Sequence, residues 1–521
     1  MGGTKFYFVK LTARILDLDA GGKYIVVLNR RDAEELGVRP LDRVIVNYRG
    51  RIAVAIVNVS ATFVKEGEVL FFYEIAKILN LRDGEEVEVK ARGELISKRF
   101  IKRKIFGYRL TKEEIEQITR DVLENKLNDL EIAAFIAALA IRGLTIEEAV
   151  EFTKAFVKTG KTLDLKKKVV LDKHSLGGVP GDKTTLILVP IIASLGFTIP
   201  KTSSRAITSP AGTADRMEVL APVDLTIEEV ERVVRKTNGC IVWGGALNLA
   251  PVDDAFIKIE YPLELDPLYV PSIISKKKAV GATHLILDLP TGRGSKLPTF
   301  GAAYELAHEL IEVAKRMGIK AKAAITYGEQ PVGNAVGPAL EAREALLALE
   351  KLRPLDLIDK AVALAGKLLE LVGKGNRETA FVALRKGLAL KKLKEIIAAQ
   401  GGDPNAKPED IPVGEKRASI YAQEKGMVMW INNREIAEIA KIAGAPRDKG
   451  AGVVLHKKIT DKVRQGEKLL TIYSNSSIRL HHALKYAEKV KPIGVVDDLR
   501  KSMLITEVGL ELHEKAFMLE R

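Results

Sequence analysis

Residues 171–185, LDKHSLGGVPGDKTT, run from an apolar strand-like segment through a glycine-rich loop into an apolar helix-like segment. A strand, a glycine loop and a helix in this order present backbone N–H groups and the positive end of a helix to an anion. The loop lacks the Gly-Lys-Ser/Thr ending of a Walker A motif, which disfavours an ATPase. Lys173, Ser175 and the bare backbone of Gly177 and Gly178 suit a phosphate or a phosphorylated sugar. Taken alone, the loop is equally typical of a tight turn that needs glycine for its positive φ.

Two further loops follow strand-like segments on the C-terminal side of this stretch. KTSSRAITSPAGT, residues 201–213, follows FTIP and is rich in hydroxyls, and PTGRGSKLP, residues 290–298, follows THLILDL. Strand-like and helix-like segments alternate through this region, which predicts a largely parallel sheet covered by helices. Ligands of such sheets bind at the carboxyl ends of the strands. The three loops therefore predict one site for a ligand with more than one anionic group.

The whole chain is predicted to be an α/β multidomain protein. Short apolar alternations such as RVIVNY predict an N-terminal β-rich, barrel-like domain over residues 1–103. Capping boxes at Thr111, Asn128 and Thr145 predict three helices of a small helical domain, residues 104–167, completed by about residues 251–281. Its middle helix is apolar nearly all round, which predicts a buried centre. The large, mainly parallel α/β domain spans residues 168–417, and a Pro- and Gly-rich break precedes a C-terminal α+β domain, residues 418–521.

Composition limits the classes of partner. The 521 residues carry a formal net charge of +14, but the basic residues form no single tract and only 6% of residues are aromatic. A solvated basic surface and a small anionic substrate are therefore favoured over nucleic acid. No apolar run could cross a bilayer and no secretory signal pattern occurs, so we expect a cytoplasmic protein without a membrane partner. The single cysteine, Cys240, predicts a buried thiol, the histidines show no zinc spacing, and we expect neither metal nor cofactor.

Five segments, DKHSLGG, SSRAITSPAGT, GCIVWGGALNLAPVDD, SIISKKKA and AGVVLHKK, occur in this order within the last four-fifths or so of the chain. Each is a weak signal alone, but together and in order they resemble the thymidine and pyrimidine-nucleoside phosphorylase family. The resemblance implies a helical domain and a larger α/β domain with the substrate between them. It also implies the transfer of a pentosyl group from a base to inorganic phosphate, and a homodimer.

The resemblance implies a role for each matching residue. His174 would lie beside the sugar and contribute to catalysis. Ser272 and Lys276 would face the base from the helical domain. The attacking phosphate would be held by Lys173, Ser175, Thr185, Ser203 and Thr213. Closure of the two domains would bring the phosphate to the anomeric carbon and exclude water, which would otherwise compete as nucleophile.

The departures from the family pattern concern the base. The pyrimidine enzymes have GRGLGHTGGT where this chain has SRAITSPAGT, and they have an arginine for the pyrimidine in the segment that here reads FIKIEYPLELDP. Both differences disfavour a pyrimidine nucleoside. A purine leaves readily only when its imidazole nitrogen is protonated, so Asp266 in this segment suits a proton donor if burial raises its pKa. A carboxylate at the start of a helix is the alternative interpretation of Asp266.

These departures, together with the additional N-terminal β-rich domain, resemble a subgroup of the family, the archaeal AMP phosphorylases. Their substrates are nucleoside 5′-monophosphates, and their products are a free base and ribose 1,5-bisphosphate. The resemblance implies AMP and phosphate as substrates, Asp266 as proton donor, and an N-terminal domain that extends the dimer to a larger homo-oligomer; whether CMP and UMP also react stays open. It implies nucleotide binding by Gly178, Ser204, Arg205, Ala206, Ile207, Thr208, Ser209, Thr213, Ser272 and Lys296.

Three other functions stay open at this point. A pyrimidine or purine nucleoside phosphorylase would act on unphosphorylated nucleosides. A phosphoribosyltransferase related to anthranilate phosphoribosyltransferase would use pyrophosphate, but the KHS and AGVVLHKK motifs fit the phosphorylases better. A binding protein with a vestigial site would use its positive charge for nucleic acid, and its retention on nucleic acid would be sensitive to salt.

Overall fold

Alternation of apolar and polar residues in the N-terminal segments produces a closed six-stranded barrel, as the sequence predicts. The structure, a computed structural model, describes residues 8–206 and 209–497. In Arg43–Tyr48 every second side chain is buried. The N-terminal elements are β1 (Val9–Leu16), β2 (Ile25–Asn29), α1 (Arg30–Leu36), β3 (Arg43–Tyr48), β4 (Arg51–Ser60), β5 (Glu68–Phe72), α2 (Tyr73–Leu79) and β6 (Glu86–Ala91). The strands follow one another around the barrel in the order β1-β5-β2-β4-β3-β6.

The three predicted capping boxes start three helices. In each box the cap side chain accepts a hydrogen bond from the backbone N–H of the third helical residue, a glutamate that bonds the cap N–H in return. The helices of this region are α3 (Ile96–Ile105), α4 (Lys112–Leu123), α5 (Asp129–Arg142) and α6 (Ile146–Thr159). Two features differ from the prediction. The predicted boundary between residues 103 and 104 falls inside α3, whose Ile101 packs in the helical core, and α5 exposes Leu130 and Ile141 at 82% and 79%.

The central region alternates strands and helices, as predicted. Its first elements are β7 (Leu171–Ser175), α7 (Thr185–Ser194), β8 (Ile199–Ser203), α8 (Thr213–Glu218), α9 (Ile227–Thr237), β9 (Gly239–Trp243), a 3-10 turn (Gly244–Leu247), α10 (Pro251–Leu263), α11 (Tyr269–Ala279), β10 (His284–Thr291), α12 (Phe300–Arg316) and β11 (Lys320–Tyr327). All strand pairs among them are parallel. The core gathers around α7, which is apolar on every side.

The parallel sheet is divided, where the sequence predicted one continuous sheet. Strands β11, β10 and β7 form one unit and β8 and β9 another, joined by an isolated bridge between Val170 and Thr198. Beyond the bridge, some backbone groups form hydrogen bonds with charged side chains, because buried charges need such partners. The Lys173 N–H donates to the Asp172 carboxylate at 2.7 Å, and the Thr202 carbonyl accepts from the Lys201 ammonium at 2.5 Å. Beyond this bridge β7 and β8 are not paired, and this break in pairing is the gap between their carboxyl ends.

Helix α10 packs into the core of the helical domain, and α11 packs on Ala149 and Val150 of α6. The ring of Phe256 in α10 stacks on Phe156 with centroids 5.9 Å apart and lies 6.2 Å from Phe135. The other side of α11 packs against α12 and the sheet. The cleft between the helical domain and the carboxyl ends of the strands is thus walled by α11 on one side.

The C-terminal part combines a helical layer with an antiparallel α+β unit. Its elements are β12 (Ala335–Val336), α13 (Pro338–Lys351), α14 (Leu355–Leu371), α15 (Arg377–Arg385), α16 (Leu388–Ala399), a 3-10 turn (Pro408–Asp410), β13 (Lys416–Tyr421), β14 (Gly426–Ile431), α17 (Asn433–Ala443), β15 (Gly452–Leu455), β16 (Lys462–Val463), β17 (Lys468–Ser474), α18 (Ser477–Val490) and β18 (Ile493–Val496). Strand β12 pairs with β15, so the two regions share one sheet. Within the described ranges, none of the helices is long and apolar enough to cross a membrane.

Candidate active site

Lys173 and Ser175 lie at the carboxyl end of β7 and face a carboxylate of β10. The Lys173 ammonium is 3.6 Å from Asp288 Oδ2. The Ser175 hydroxyl is 2.9 Å from the same oxygen and 3.2 Å from Asp182 Oδ2 in the glycine loop. Thr326 of β11 donates to Asp288 Oδ1 at 2.6 Å. Side chains of β7 and β11 therefore meet at Asp288 of β10, a residue that no sequence motif marks.

A second lysine, Lys360 of α14, joins the same cluster from below the sheet. Its ammonium lies 3.1 Å from Asp182 Oδ2 and 3.0 Å from Asp288 Oδ2. Burial disfavours the ammonium, but the two carboxylates raise the pKa of Lys360 above its ordinary value. Against the opposing effect of burial, Lys360 and Lys173 hold the pKa of Asp182 well below its usual range. Lys360 and Asp182 are accordingly both charged.

The other predicted phosphate ligands lie at the starts and ends of neighbouring elements. Ser203 ends β8, Thr213 begins α8 and Thr185 begins α7. The Ser203 hydroxyl is 3.4 Å from the Val242 carbonyl, so it is only weakly engaged. These three hydroxyl residues border the gap between β7 and β8.

The loop after β8 is held by one carboxylate. Asp215 Oδ2 accepts hydrogen bonds from the N–H groups of Ala206 and Gly212, both at 2.7 Å. Gly212 has no room for a side chain, because a Cβ there would lie 2.6 Å from the Ser204 carbonyl oxygen. Ser209 lies in the described part of this loop. The predicted nucleotide ligands Ile207 and Thr208 lie outside the described residues.

The Arg205 side chain of this loop forms hydrogen bonds with two acidic residues. Its guanidinium donates to both Glu218 oxygens at 2.9 and 2.7 Å and to Asp224 at 3.1 Å, and it lies 4.9 Å above the Trp243 ring. The Arg205 guanidinium in turn lowers the pKa of Glu218 to about 2. A contact between Arg205 and a nucleotide would therefore use its backbone, whereas its side chain fixes the loop.

The glycine loop and the loop after β10 touch each other at Gly178. This residue has φ +86°, and a Cβ there would lie 2.5 Å from the Lys296 backbone nitrogen. Glycine is therefore required both by the conformation and by the close approach. The Lys296 ammonium lies 5.2 Å from the centroid of the Tyr269 ring, at the start of α11. Lys296 thus links the loops of the sheet to the helical domain across the cleft.

Ser272 and Lys276 share one face of α11, as their spacing requires, and both contact Asp253 of α10. The Ser272 hydroxyl donates to Asp253 Oδ2 at 2.8 Å, and the Lys276 ammonium lies 2.6 Å from the same oxygen. The Lys276 ammonium is also 3.3 Å from the Ser272 hydroxyl. Asp253 was not selected from the sequence, although it ends the family-like segment GCIVWGGALNLAPVDD as one of two adjacent aspartates.

Asp266 lies in the turn before α11, near enough to Lys276 and Lys296 for their charges to act on its carboxyl. The surrounding protein raises the pKa of its carboxyl by desolvation, and Asp253 adds to the rise, while Lys296 and Lys276 oppose it. Asp266 nevertheless remains reachable from solvent through the open cleft. A reachable carboxyl with a raised pKa is the arrangement expected of a proton donor.

A second carboxyl, Glu260 of α10, lies beside this group and was not selected from the sequence. It is 4% exposed, and its Oε1 has no hydrogen-bond partner among the described residues. Burial, with the nearby carboxylates of Asp266 and Asp253, raises the pKa of Glu260 to about 8. Near neutral pH it therefore stays protonated and adds no negative charge beside Asp266.

The raised pKa of Glu260 predicts a pH-dependent effect on stability. The ordinary pKa is 4.5, so between pH 4.5 and 8 the unfolded chain releases a proton that the folded chain keeps. The free energy of unfolding then falls by about 1.4 kcal/mol for each pH unit in that window. Glu260→Gln removes this term, so the variant should gain stability relative to wild type from pH 5 to pH 8. Denaturant unfolding at both values measures it, and a difference that does not change with pH would contradict the assignment.

His174 lies in β7, between Lys173 and Ser175. Burial and the ammonium groups of Lys277, Lys201 and Lys173 lower its pKa well below 6.5. The imidazole is therefore neutral at physiological pH and can donate or accept a hydrogen bond without adding charge. This neutral state suits contact with a sugar hydroxyl.

Two predicted features lie away from the cleft. The Lys458 ammonium of the AGVVLHKK segment donates to the Gly333 carbonyl at 2.7 Å and pairs with Asp356 at 3.1 Å, so it ties the C-terminal unit to the α/β region. Cys240 is buried, as predicted, and burial raises the pKa of its thiol to about 12, which excludes a nucleophilic role. Among residues 8–206 and 209–497, no group of three or more His, Cys, Asp or Glu is arranged to hold a metal ion.

Comparison with known proteins agrees with this architecture. Residues 98–160 match the helical bundle domain and residues 167–390 the a/b domain of a glycosyl transferase family, and residues 427–494 match the pyrimidine nucleoside phosphorylase C-terminal domain. The AMP phosphorylase of Thermofilum pendens is 54% identical over 96% of this chain and 98% of its own length. The chain belongs to the AMP phosphorylase family.

Other members of the AMP phosphorylase family show similar coverage. The Thermococcus kodakarensis protein is 46% identical over 96% of this chain and all of its own length, and the Methanosarcina mazei protein is 45% identical over 91% and 94%. Both matches span most of this chain and most of the relative. An anthranilate phosphoribosyltransferase from Thermus thermophilus superposes with a TM-score of 0.48 at 19% identity, over 58% of this chain and 98% of that chain, which is too distant to bear on activity.

Proposed function

We propose that the protein catalyses phosphorolysis of nucleoside 5′-monophosphates, chiefly AMP, to give adenine and ribose 1,5-bisphosphate. The observation that carries this proposal is the nearly full-length likeness to relatives named AMP phosphorylase, at 54% identity over 98% of one of them. The geometry supports it, because cations and hydroxyls occupy the sheet side of the cleft and a carboxyl with a raised pKa occupies the other side. Such an activity belongs to nucleotide salvage or degradation.

In the proposed reaction an oxygen of inorganic phosphate forms a bond to C1′ while the bond between C1′ and the base nitrogen breaks. The electron pair of the breaking bond stays on the base, and Asp266 gives the base a proton. Asp266 regains a proton from solvent or from the phosphate before the next turnover. Charge at C1′ rises as the bond stretches, so the negative phosphate is stabilised electrostatically as it approaches. No metal takes part in this scheme.

The residues of the cleft divide this work. Lys173 and Ser175 orient the phosphate nucleophile, assisted by the hydroxyls of Thr185, Ser203 and Thr213. The loop after β8 and Lys296 would hold the nucleotide, with Gly178 allowing the close approach of backbone. Ser272 and Lys276 would face the base, and neutral His174 would hydrogen-bond the ribose. Binding energy from the 5′-phosphate, which is remote from the reacting bond, would position C1′.

A comparison of AMP with adenosine tests the substrate class. The purified protein is incubated with inorganic phosphate and either compound, and the free base is separated and quantified. We expect adenine from AMP only when phosphate is present, and from adenosine roughly a hundredfold more slowly, because adenosine lacks the remote binding energy. Rapid release from adenosine with AMP inert would instead support the nucleoside phosphorylase alternative. The same assay with CMP and UMP measures base preference.

We also propose a homodimer that the N-terminal barrel extends to a larger assembly. The apolar side chains of Leu130 and Ile141, exposed on α5, support a contact between copies at the helical domain. Native mass measurement of the full chain should give more than two copies. A chain that lacks residues 1–91 should give a dimer, and an unchanged larger mass would contradict the role of the barrel.

A further inference from the structure

Lys360 is a buried charged group of the cleft region that the proposed chemistry does not use. Helix α14 is otherwise deeply buried along this side, with Leu357, Ala361 and Leu364 at 1% exposure or less. A lysine at 8% exposure in such surroundings carries a desolvation cost that its partners must offset. Its partners are the carboxylates of Asp182, in the glycine loop, and of Asp288, in β10. Both belong to the proposed phosphate site.

Both carboxylates also engage the proposed phosphate ligands. The Ser175 hydroxyl has one proton and lies within hydrogen-bond distance of both Asp182 and Asp288. The Lys173 ammonium lies 3.6 Å from Asp288 Oδ2, farther than the 3.0 Å that separates this oxygen from Lys360. Lys360 is thus the tighter partner of Asp288, and Lys173 is the looser one.

These distances indicate how Lys173 and Ser175 would change partners when a phosphate binds. Without Lys360, the two carboxylates would repel a phosphate dianion. They would also hold the Lys173 ammonium and the Ser175 hydroxyl in contacts with themselves. With Lys360 paired to both carboxylates, the Lys173 ammonium can pair with the phosphate instead, and the Ser175 hydroxyl can donate its hydrogen bond to a phosphate oxygen. Lys173, which is the looser partner of Asp288, is then the cation available to the incoming anion.

We propose that Lys360 is a positioning residue for inorganic phosphate: by pairing with both Asp182 and Asp288 it offsets part of their negative charge, so that Lys173 and Ser175 are free to bind the nucleophile. Lys360 itself does not touch the phosphate. This inference rests on the proposed function, since inorganic phosphate is the ligand.

The test compares Lys360→Met with Lys104→Met. Lys104 and Glu148 form a buried ion pair of the helical domain, 2.7 Å apart. Lys104→Met therefore controls for the general effect of removing a buried lysine charge. We expect Lys360→Met to raise the KM for phosphate about tenfold or more with a smaller change in the KM for AMP, whereas Lys104→Met leaves both constants near wild type. Lys360→Arg keeps the charge and should recover part of the loss.

Two further readouts keep the proposal falsifiable. Thermal unfolding with increasing inorganic phosphate, without nucleotide, should show stabilisation of wild type and Lys104→Met but little of Lys360→Met. The double variant Lys360→Met/Asp182→Asn removes one of the charges that Lys360 offsets. It should therefore bind phosphate more tightly than the single variant. If Lys360→Met does not fold, the phosphate binding of the double variant is measured in its place. Unchanged phosphate dependence in Lys360→Met, or a double variant that binds no phosphate, would overturn the role of Lys360. Absence of phosphate-dependent adenine release by wild type would instead contradict the proposed function.

Discussion

Asp266→Asn is expected to lower kcat for AMP phosphorolysis by roughly 10²- to 10⁴-fold, the usual contribution of a general acid. The amide is similar in size but has no acidic proton to give to the leaving base. Nucleotide binding should change little, because the variant keeps the shape of the turn before α11. Steady-state kinetics with saturating phosphate measures the effect, and near-normal kcat would remove Asp266 from the mechanism.

The pH profile gives this prediction a second readout. Asp266 must be protonated to act, and its pKa is raised by desolvation. The rate with wild type should therefore hold below that pKa and fall as the pH rises through it, and Asp266→Asn should lack this alkaline limb. Glu264→Gln is the matched control, since Glu264 is an exposed carboxylate two residues away that makes no contact in the cleft. It should keep both the rate and the pH profile.

Lys173→Met is expected to raise the KM for phosphate by about two orders of magnitude, which corresponds to the loss of one buried charge-assisted contact. Lys360 still neutralises Asp288 in this variant, so the fold should persist. The KM for AMP should change much less than the KM for phosphate. Initial rates at varied phosphate concentration measure the effect.

The control for this variant is Lys168→Met, which removes an exposed lysine just before the same strand. Its phosphate dependence should match wild type. A Lys173→Met variant with ordinary KM for phosphate would show that the nucleophile is held elsewhere, and would contradict the assignment of the glycine-rich loop.

Local patterns in the sequence were enough to predict the elements and the loops that form the cleft. The capping boxes at Thr111, Asn128 and Thr145 depend on residues three positions apart, so the chain itself specifies them. The strand–loop order likewise predicted that the glycine loop and the loop containing Lys296 would lie at one edge of the sheet, and Gly178 and Lys296 are in contact there.

The partners that tune the site could not be predicted, because they come from distant parts of the chain. Lys360 and Asp182 are 178 positions apart, and the sequence around Lys360 is typical of any amphipathic helix. Asp288 sits in the apolar segment THLILDLP, which predicts a strand but does not show that this carboxylate belongs to the site. Arg205 had the character of a nucleotide ligand, but only the fold brings Glu218 and Asp224 to its guanidinium. The division of the sheet depends on buried charges in the same way.

The fate of phosphate tests the central claim most directly. Wild-type protein is incubated with AMP and inorganic phosphate, and the mixture is followed by phosphorus NMR while adenine is quantified. The account predicts that inorganic phosphate disappears in step with adenine release, and that a product with two phosphate esters, at C1 and C5 of ribose, replaces AMP. Release of adenine with ribose 5-phosphate as product and no consumption of inorganic phosphate would contradict it, because water rather than phosphate would then be the nucleophile.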